Sequence, residues 1–214
     1  MNLAFFAKNY MELLIGGLIG GRLFYLIENL SLLKHNPLKA FYIWDLHFSF
    51  FGILYSVLIL IWYFSKKQRE DFWAWVDIFL LTTLVAFLFI HLGEFFDGVN
   101  YGKPTDMIWG IAFDTHKIPY AIPIHPTQLY SLITTFIIFS ISMKYIKRTH
   151  ITGVAGPLAL MLYCTGEIII DFLHTTPSLY NKINFGIIAI ISFIIYIHRT
   201  NIKHISVEEI TDNN

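Results

Sequence analysis

The chain has 214 residues, of which 56% are hydrophobic and 14% charged, whereas soluble domains carry roughly 25% charged residues. A mean hydropathy of +0.58 excludes a disordered chain, a coiled coil and an ordinary soluble enzyme. Fifteen basic against fifteen acidic residues leave no surplus for nucleic acid, and one cysteine, Cys164, excludes a disulfide framework or a Cys-rich zinc site.

Six apolar stretches approach the length of about 20 residues needed to cross about 30 Å of hydrocarbon: 10–33, 46–64, 72–96, 126–146, 153–173 and 183–197. The composition therefore predicts an all-α polytopic membrane protein with about six transmembrane helices. It predicts one integral membrane domain over 1–205 and a disordered tail over 206–214. No small-residue cleavage site ends the first run, so no cleavable signal peptide is expected.

The first stretch carries Gly16, Gly17, Gly20 and Gly21, then Arg22. Small residues suit close helix packing, and a buried Arg is either structural or functional. Glu12 and Glu28 lie nearer its ends, where water is expected. On the third stretch, Asp77 is placed to cap or pair near the inner end. Farther along, His91, Glu94 and Asp97 recur in steps of three, within an arc of about 120°.

The connection 97–125 is the one long loop, and long loops inside compact domains are usually functional or disordered. Its Gly and Pro turns alternate with Tyr101, Trp109, Phe113 and Tyr120, which predicts a folded cap on the outer surface. The fifth stretch holds Glu167, Asp171 and His174 within about 60°. Both polar clusters fall at the outer ends of their helices, so they are expected to face each other or a shared wet cavity. Cys164 is read as a small core residue.

Lys and Arg set the orientation. Nine follow or precede the helices on one side: Lys8, Lys66, Lys67, Arg69, Lys144, Lys147, Arg148, Arg199 and Lys203. Five lie on the other: Lys34, Lys39, Lys103, Lys117 and Lys182. Both termini are therefore expected in the cytoplasm.

The chemistry leaves alternatives open. A carboxylate beside an imidazole suits general acid–base work, and the same ligands suit a cation. They also suit partly hydrated helix ends that only stabilise packing. Unpaired buried carboxylates must protonate or find a partner, and the expected partners are protonated His91 and His174.

Several segments resemble the prolipoprotein diacylglyceryl transferase family. They are Gly20-Gly21-Arg22-Leu23-Phe24-Tyr25, Asn36-Pro37-Leu38 through Trp44-Asp45, and Ser49-Phe50-Phe51-Gly52. More specific are Gly98, Tyr101-Gly102-Lys103-Pro104-Thr105-Asp106 with Trp109, then His125-Pro126-Thr127-Gln128-Leu129-Tyr130, then Tyr163 through His174. The resemblance covers roughly residues 12–180. It implies a multi-pass enzyme of the bacterial inner membrane with its site toward the outer face. Such an enzyme moves diacylglyceryl from phosphatidylglycerol to a lipobox cysteine thiol, releases glycerol phosphate and uses no cofactor. The partners implied are a phospholipid, a membrane-delivered lipobox protein and the bilayer.

In the transferase reading the His/carboxylate cluster supplies the catalytic candidates, His91 or Glu94 as base and Glu167 as its partner. Arg22, Tyr25, Gly98, His125, Gln128, Tyr130, Tyr163, Asp171 and His174 are the substrate-binding candidates, with no metal ligand. Compared with the family pattern, Phe51 stands for a histidine, His91, Glu167 and His174 for arginines, Glu94 for an asparagine and Val99 for an acid. A further first helix usual in the family is expected to be absent. A non-catalytic lipid- or peptide-binding protein on this scaffold is the alternative, as is a different membrane enzyme using a His/carboxylate cation site.

The charge bias generates a direct test. An impermeant thiol reagent added outside intact membranes is expected to label a Thr115→Cys variant and spare a Ser206→Cys variant. Equal labelling rejects the topology.

Overall fold

The computed structural model describes residues 4–30, 47–113, 118, 122–149 and 151–212. Its helices are α1 (Ala4–Glu28), α2 (Phe50–Gln68), α3 (Phe72–Asp97), α4 (Thr127–Arg148), α5 (Ala155–Asp171) and α6 (Leu179–Asp212). Among the described residues, extended pairing is limited to isolated bridges. Five segments are long and apolar enough to cross a membrane: Ala7–Glu28, Phe50–Gln68, Phe72–Asp97, Thr127–Arg148 and Leu179–Asn201. The chain is an all-helical, multi-pass membrane protein.

Helix α5 is the short one. Its 17 residues span about 25 Å at a rise of about 1.5 Å per residue. The apolar run predicts 153–173, but Gly153 adopts a left-handed turn with φ 80°. At the other end the Leu173 carbonyl accepts from Lys103 N. Helix α6 starts earlier than expected and stays helical to Asp212, past Ser206 where polar composition predicts disorder. Extending an existing helix is far easier than nucleating one. The motif at 36–45, together with Thr115, Lys117 and Tyr120, lies outside the described residues.

The chain divides into two compact units, 1–75 and 76–214, where the sequence reading expects one domain. In the first, α1 packs on α2 through the glycines. A Cβ on Gly52 would meet the Gly20 carbonyl, and one on Gly17 would stand 3.1 Å from Val57, so backbones approach where side chains are missing. Ser49 N donates to the Gly21 carbonyl at 3.0 Å, and the Ser49 hydroxyl donates to Glu28 Oε1 at 2.7 Å. Arg22 is buried. It donates to the His47 carbonyl at 2.9 Å and lies 5.4 Å from the Tyr25 ring centre. Phe5 stacks on Trp75 with ring centres 4.2 Å apart.

In the second unit α5 packs against both α4 and α6. The buried face of α4 is Thr127, Gln128, Ser131, Thr135, Ile138 and Ser142. These three- and four-residue steps form one helical stripe, mostly of small side chains. The buried face of α3 includes Asp77, Leu80, Leu81, Leu84 and His91.

Asp77 joins α3 to the start of α5. Its Oδ2 accepts from Gly153 N and its Oδ1 from Gly156 N, both at 2.7 Å. A helix N-terminus carries orphan amides and the positive end of the dipole, so a carboxylate there satisfies both. A Cβ on Gly156 would stand 2.9 Å from Asp77 Cα, so only glycine permits the approach. Asp77 is a cap, as its sequence position predicts.

Replacing Asp77 with Ala strands two buried amides, at roughly 1–3 kcal/mol for each buried group left unpaired. The thermal midpoint of the purified Asp77→Ala protein in mild detergent is expected to fall clearly below wild type. An unchanged midpoint contradicts the capping role.

Candidate active site

The third-helix cluster and the fifth-helix cluster meet in part. His91 is 6% exposed and sits at the centre. Its Nδ1 is 3.0 Å from Glu94 Oε2, one helical turn along the same face. From α5, the Tyr163 hydroxyl lies 3.4 Å from His91 Nε2, and Glu167 Oε1 lies 4.0 Å from it. Phe87 stacks on Tyr163 at 4.6 Å with an interplanar angle of 6°, fixing the phenol ring against α3. Ser131 of α4 hydrogen-bonds Glu167. Three helices thus supply five polar groups: His91 and Glu94 from α3, Tyr163 and Glu167 from α5, and Ser131 from α4.

The remaining members of the fifth-helix cluster point to other partners. Asp171 Oδ2 pairs with Lys182 Nζ at 3.2 Å, and Asp171 Oδ1 receives Ser178 N at 3.5 Å. His174 forms an isolated antiparallel bridge with Gly102. Burial pushes the His174 imidazole below its ordinary range, with Asp171 and then Glu94 opposing. The expected protonation of His174 is therefore disfavoured: loss of water outweighs the attraction of the two acids.

The described part of the 97–125 connection is knitted to two helix ends. Gly102 N donates to the His125 carbonyl at 3.0 Å, His125 N to the Lys103 carbonyl at 2.9 Å, and Lys103 N to the Leu173 carbonyl at 2.9 Å. Lys103 Nζ also donates to the Phe172 carbonyl at 2.9 Å. Gly98 is buried with φ 66°, a left-handed conformation that glycine adopts without steric cost. Gln128 is buried and donates its amide to the Val99 carbonyl at 2.5 Å, so that donor holds the loop.

Near this braid, His125 Nδ1 lies 3.0 Å from the Tyr130 hydroxyl, which accepts from Trp109 Nε1 at 2.9 Å. Beside the pair runs a wholly apolar groove of about 560 Å³ lined by Trp109, Ile111, Pro126, Leu129, Tyr130 and Ile133. Ile133 and Trp109 are more than half exposed.

Among the predicted residues, His91, Glu94, Tyr163 and Glu167 come together, and His125 with Tyr130 forms a separate pair. Arg22 and Tyr25 belong to the first unit. Sequence reasoning missed Lys182 as the partner of Asp171, Ser131 as the partner of Glu167, and Asn100, whose amide donates to Glu94 Oε1 at 2.6 Å. Lys182 stands one turn into α6, where a helix-end cation is easily taken for a topological signal only. Asn100 follows a glycine turn, and periodicity does not extend through turns.

The model of the prolipoprotein diacylglyceryl transferase family matches residues 4–201. A phosphatidylglycerol–prolipoprotein diacylglyceryl transferase of Clostridium tetani is 31% identical over 169 residues, covering 77% of this chain and 66% of that protein. A protein of the same name from Polynucleobacter necessarius is 33% identical over 150 residues, covering 68% of this chain and 54% of that protein. One from Bordetella parapertussis is 29% identical over 160 residues, covering 74% and 60%. The chain therefore spans 54–66% of the length of these relatives.

The His174 shift has a signed consequence. An imidazole held low in the folded state is protonated first in the unfolded chain, so its stabilising effect is present above about pH 6.5 and is lost as pH falls further. Thermal midpoints measured from pH 8 to pH 5 should fall less steeply for His174→Gln than for wild type. Identical slopes contradict the shift.

Proposed function

The chain belongs to the prolipoprotein diacylglyceryl transferase family, and on that premise we propose that it is a membrane transferase of the bacterial cytoplasmic membrane. The donor proposed is a phospholipid, phosphatidylglycerol in the first instance, and the acceptor is a lipobox cysteine thiol on a membrane-delivered protein. Both termini are cytoplasmic under this proposal, and the site opens toward the outer leaflet. The observation that carries the chemistry is His91 held at 3.0 Å from Glu94 and facing Tyr163 and Glu167.

In the proposed step His91 Nε2 takes the thiol proton as the sulfur attacks the glyceryl carbon of the donor. The C–S bond forms, and the C–O bond to phosphorus breaks. Glycerol phosphate leaves with the electron pair, and the proton on His91 returns to water as the products depart. Glu94 orients the ring and stabilises the imidazolium that forms, while Glu167 adds negative charge near the second nitrogen. An imidazole placed against carboxylates in a water-poor site is suited to this task, and a positioned base contributes typically about 10²–10⁴-fold.

The His125 and Tyr130 pair supplies donors for the ester or phosphate oxygens of the lipid. The adjoining apolar groove is suited to an acyl chain, because its wall continues into the exposed apolar face of α4 at Phe136 and Ile137. The apparent cost is electrostatic: two carboxylates near an anionic donor repel it. A donor held with its phosphate toward His125, away from Glu94 and Glu167, reduces that repulsion.

The test uses purified full-length protein in vesicles containing labelled phosphatidylglycerol and a lipobox peptide. Wild type is expected to transfer label to the peptide and release glycerol phosphate. Glu167→Gln should keep the thermal midpoint but lose at least about 10²-fold in rate. No transfer by folded wild type rejects the reaction, whereas equal transfer by both proteins rejects the role of Glu167.

A further inference from the structure

At the end of α3 the chain turns back on itself. Val99 N donates to the Glu94 carbonyl at 3.1 Å, and Asn100 sits at φ 54°. Outside glycine that left-handed conformation is uncommon, and Asn is among the few residues enriched there. The turn is fastened from α4: Thr127 Oγ1 donates to the Asn100 carbonyl at 2.6 Å, and Gln128 holds the Val99 carbonyl. Backbone strain held in place by surrounding bonds is a feature of functional sites. Here its product is specific, because it carries the Asn100 side chain back over Glu94, six residues earlier, at 2.6 Å.

We infer that Asn100 is a positioning residue that fixes the protonation pattern of His91 through Glu94. Glu94 has two oxygens and both are used: Oε1 takes the Asn100 amide and Oε2 faces His91 Nδ1. An ionised carboxylate only accepts, so His91 Nδ1 carries the proton in that pair. A neutral imidazole protonated at Nδ1 presents its lone pair at Nε2, toward the Tyr163 hydroxyl and Glu167. The Tyr163 contact is long at 3.4 Å, so an incoming acidic proton can compete for Nε2. The groups facing His91 are Glu94 from its own helix and Tyr163 and Glu167 from α5.

Without the Asn100 amide, Glu94 Oε1 has no donor from this turn. The carboxylate is then free to rotate, and the ring loses the contact that selects its tautomer. The inference rests on the transferase proposal for its kinetic arm alone. Its spectroscopic arm stands without it.

The experiment compares full-length wild type with Asn100→Gly and Asn100→Asp. Glycine accepts φ 54° and keeps the carbonyl that Thr127 binds, so the turn is retained while the amide donor is lost. Aspartate tolerates the same backbone but sets a carboxylate against Glu94. Each protein is labelled with ¹⁵N-histidine, and the His91 nitrogens are assigned by their disappearance in His91→Gln. Wild type at pH 8.5 is expected to show a protonated Nδ1 and an unprotonated Nε2. Both variants should show a mixture of tautomers, with turnover reduced about 10²-fold and KM changed far less. A wild-type Nδ1–H signal preserved in both folded variants overturns the inference, as does a wild-type ring protonated at Nε2 alone. If wild type transfers no lipid while the tautomer still shifts in the variants, the transferase proposal fails and the role of Asn100 stands.

Discussion

Two backbone amides at the start of α5 need an acceptor inside the apolar layer, and Asp77 is that acceptor. The consequence runs the length of two helices. Because Gly156 lets α5 touch α3 at Asp77, the two helices share a fixed starting point. His91 lies fourteen residues beyond Asp77, close to four turns at about 3.6 residues per turn, and so returns to nearly the same face. Tyr163 and Glu167 follow Gly156 by seven and eleven residues, again near whole numbers of turns. His91 thus lies on the side of α3 that carries Asp77, and Tyr163 and Glu167 lie on the side of α5 that carries Gly156.

That meeting assembles a small polar site with apolar walls. Charges in such surroundings interact more strongly than in water, and unpaired ones are correspondingly costly. The structure answers by pairing within the second unit: Glu94 with His91 and Asn100, Asp171 with Lys182, Glu167 with Ser131 and His91. Asp171, which sequence spacing groups with Glu167, is drawn off by a lysine from the next helix. What is left around His91 is a tighter set than the sequence suggests, with a histidine as its hub.

The helices were legible because hydrocarbon thickness imposes a length and apolar runs report it. The glycines of α1 were legible as a contact face because a missing side chain has one main structural use there. Asp77 was legible as a cap from its depth. The fifth helix was overestimated because apolarity continues through Gly153 and Leu173, whereas hydrogen bonding to the turn and the cap decides where the helix stops. Steps of three and four residues brought out His91 and Glu94 on one helix and Glu167 on another, yet they carry no information about which helix lies opposite. Lys182, Ser131 and Asn100 depend on that tertiary choice, and no local pattern marks them.

The braid of residues 101–105 has a consequence for how the protein is made. Gly102, Lys103 and Thr105 bond to Pro123 and His125, which a growing chain reaches soon afterwards, but Lys103 N also donates to the Leu173 carbonyl, and the Tyr101 carbonyl accepts from Thr175 N. These partners lie about seventy positions downstream. Contacts so distant in sequence close late, since the intervening chain must be ordered first. The loop that carries Asn100 thus stays incompletely fastened through the synthesis of α4 and α5, and the site acquires its final geometry only once the end of α5 arrives. A nascent chain halted before residue 175 contains His91, Glu94 and Glu167 but lacks part of the fastening that sets their geometry. The arrangement around His91 is in this sense completed only when the second unit is nearly finished.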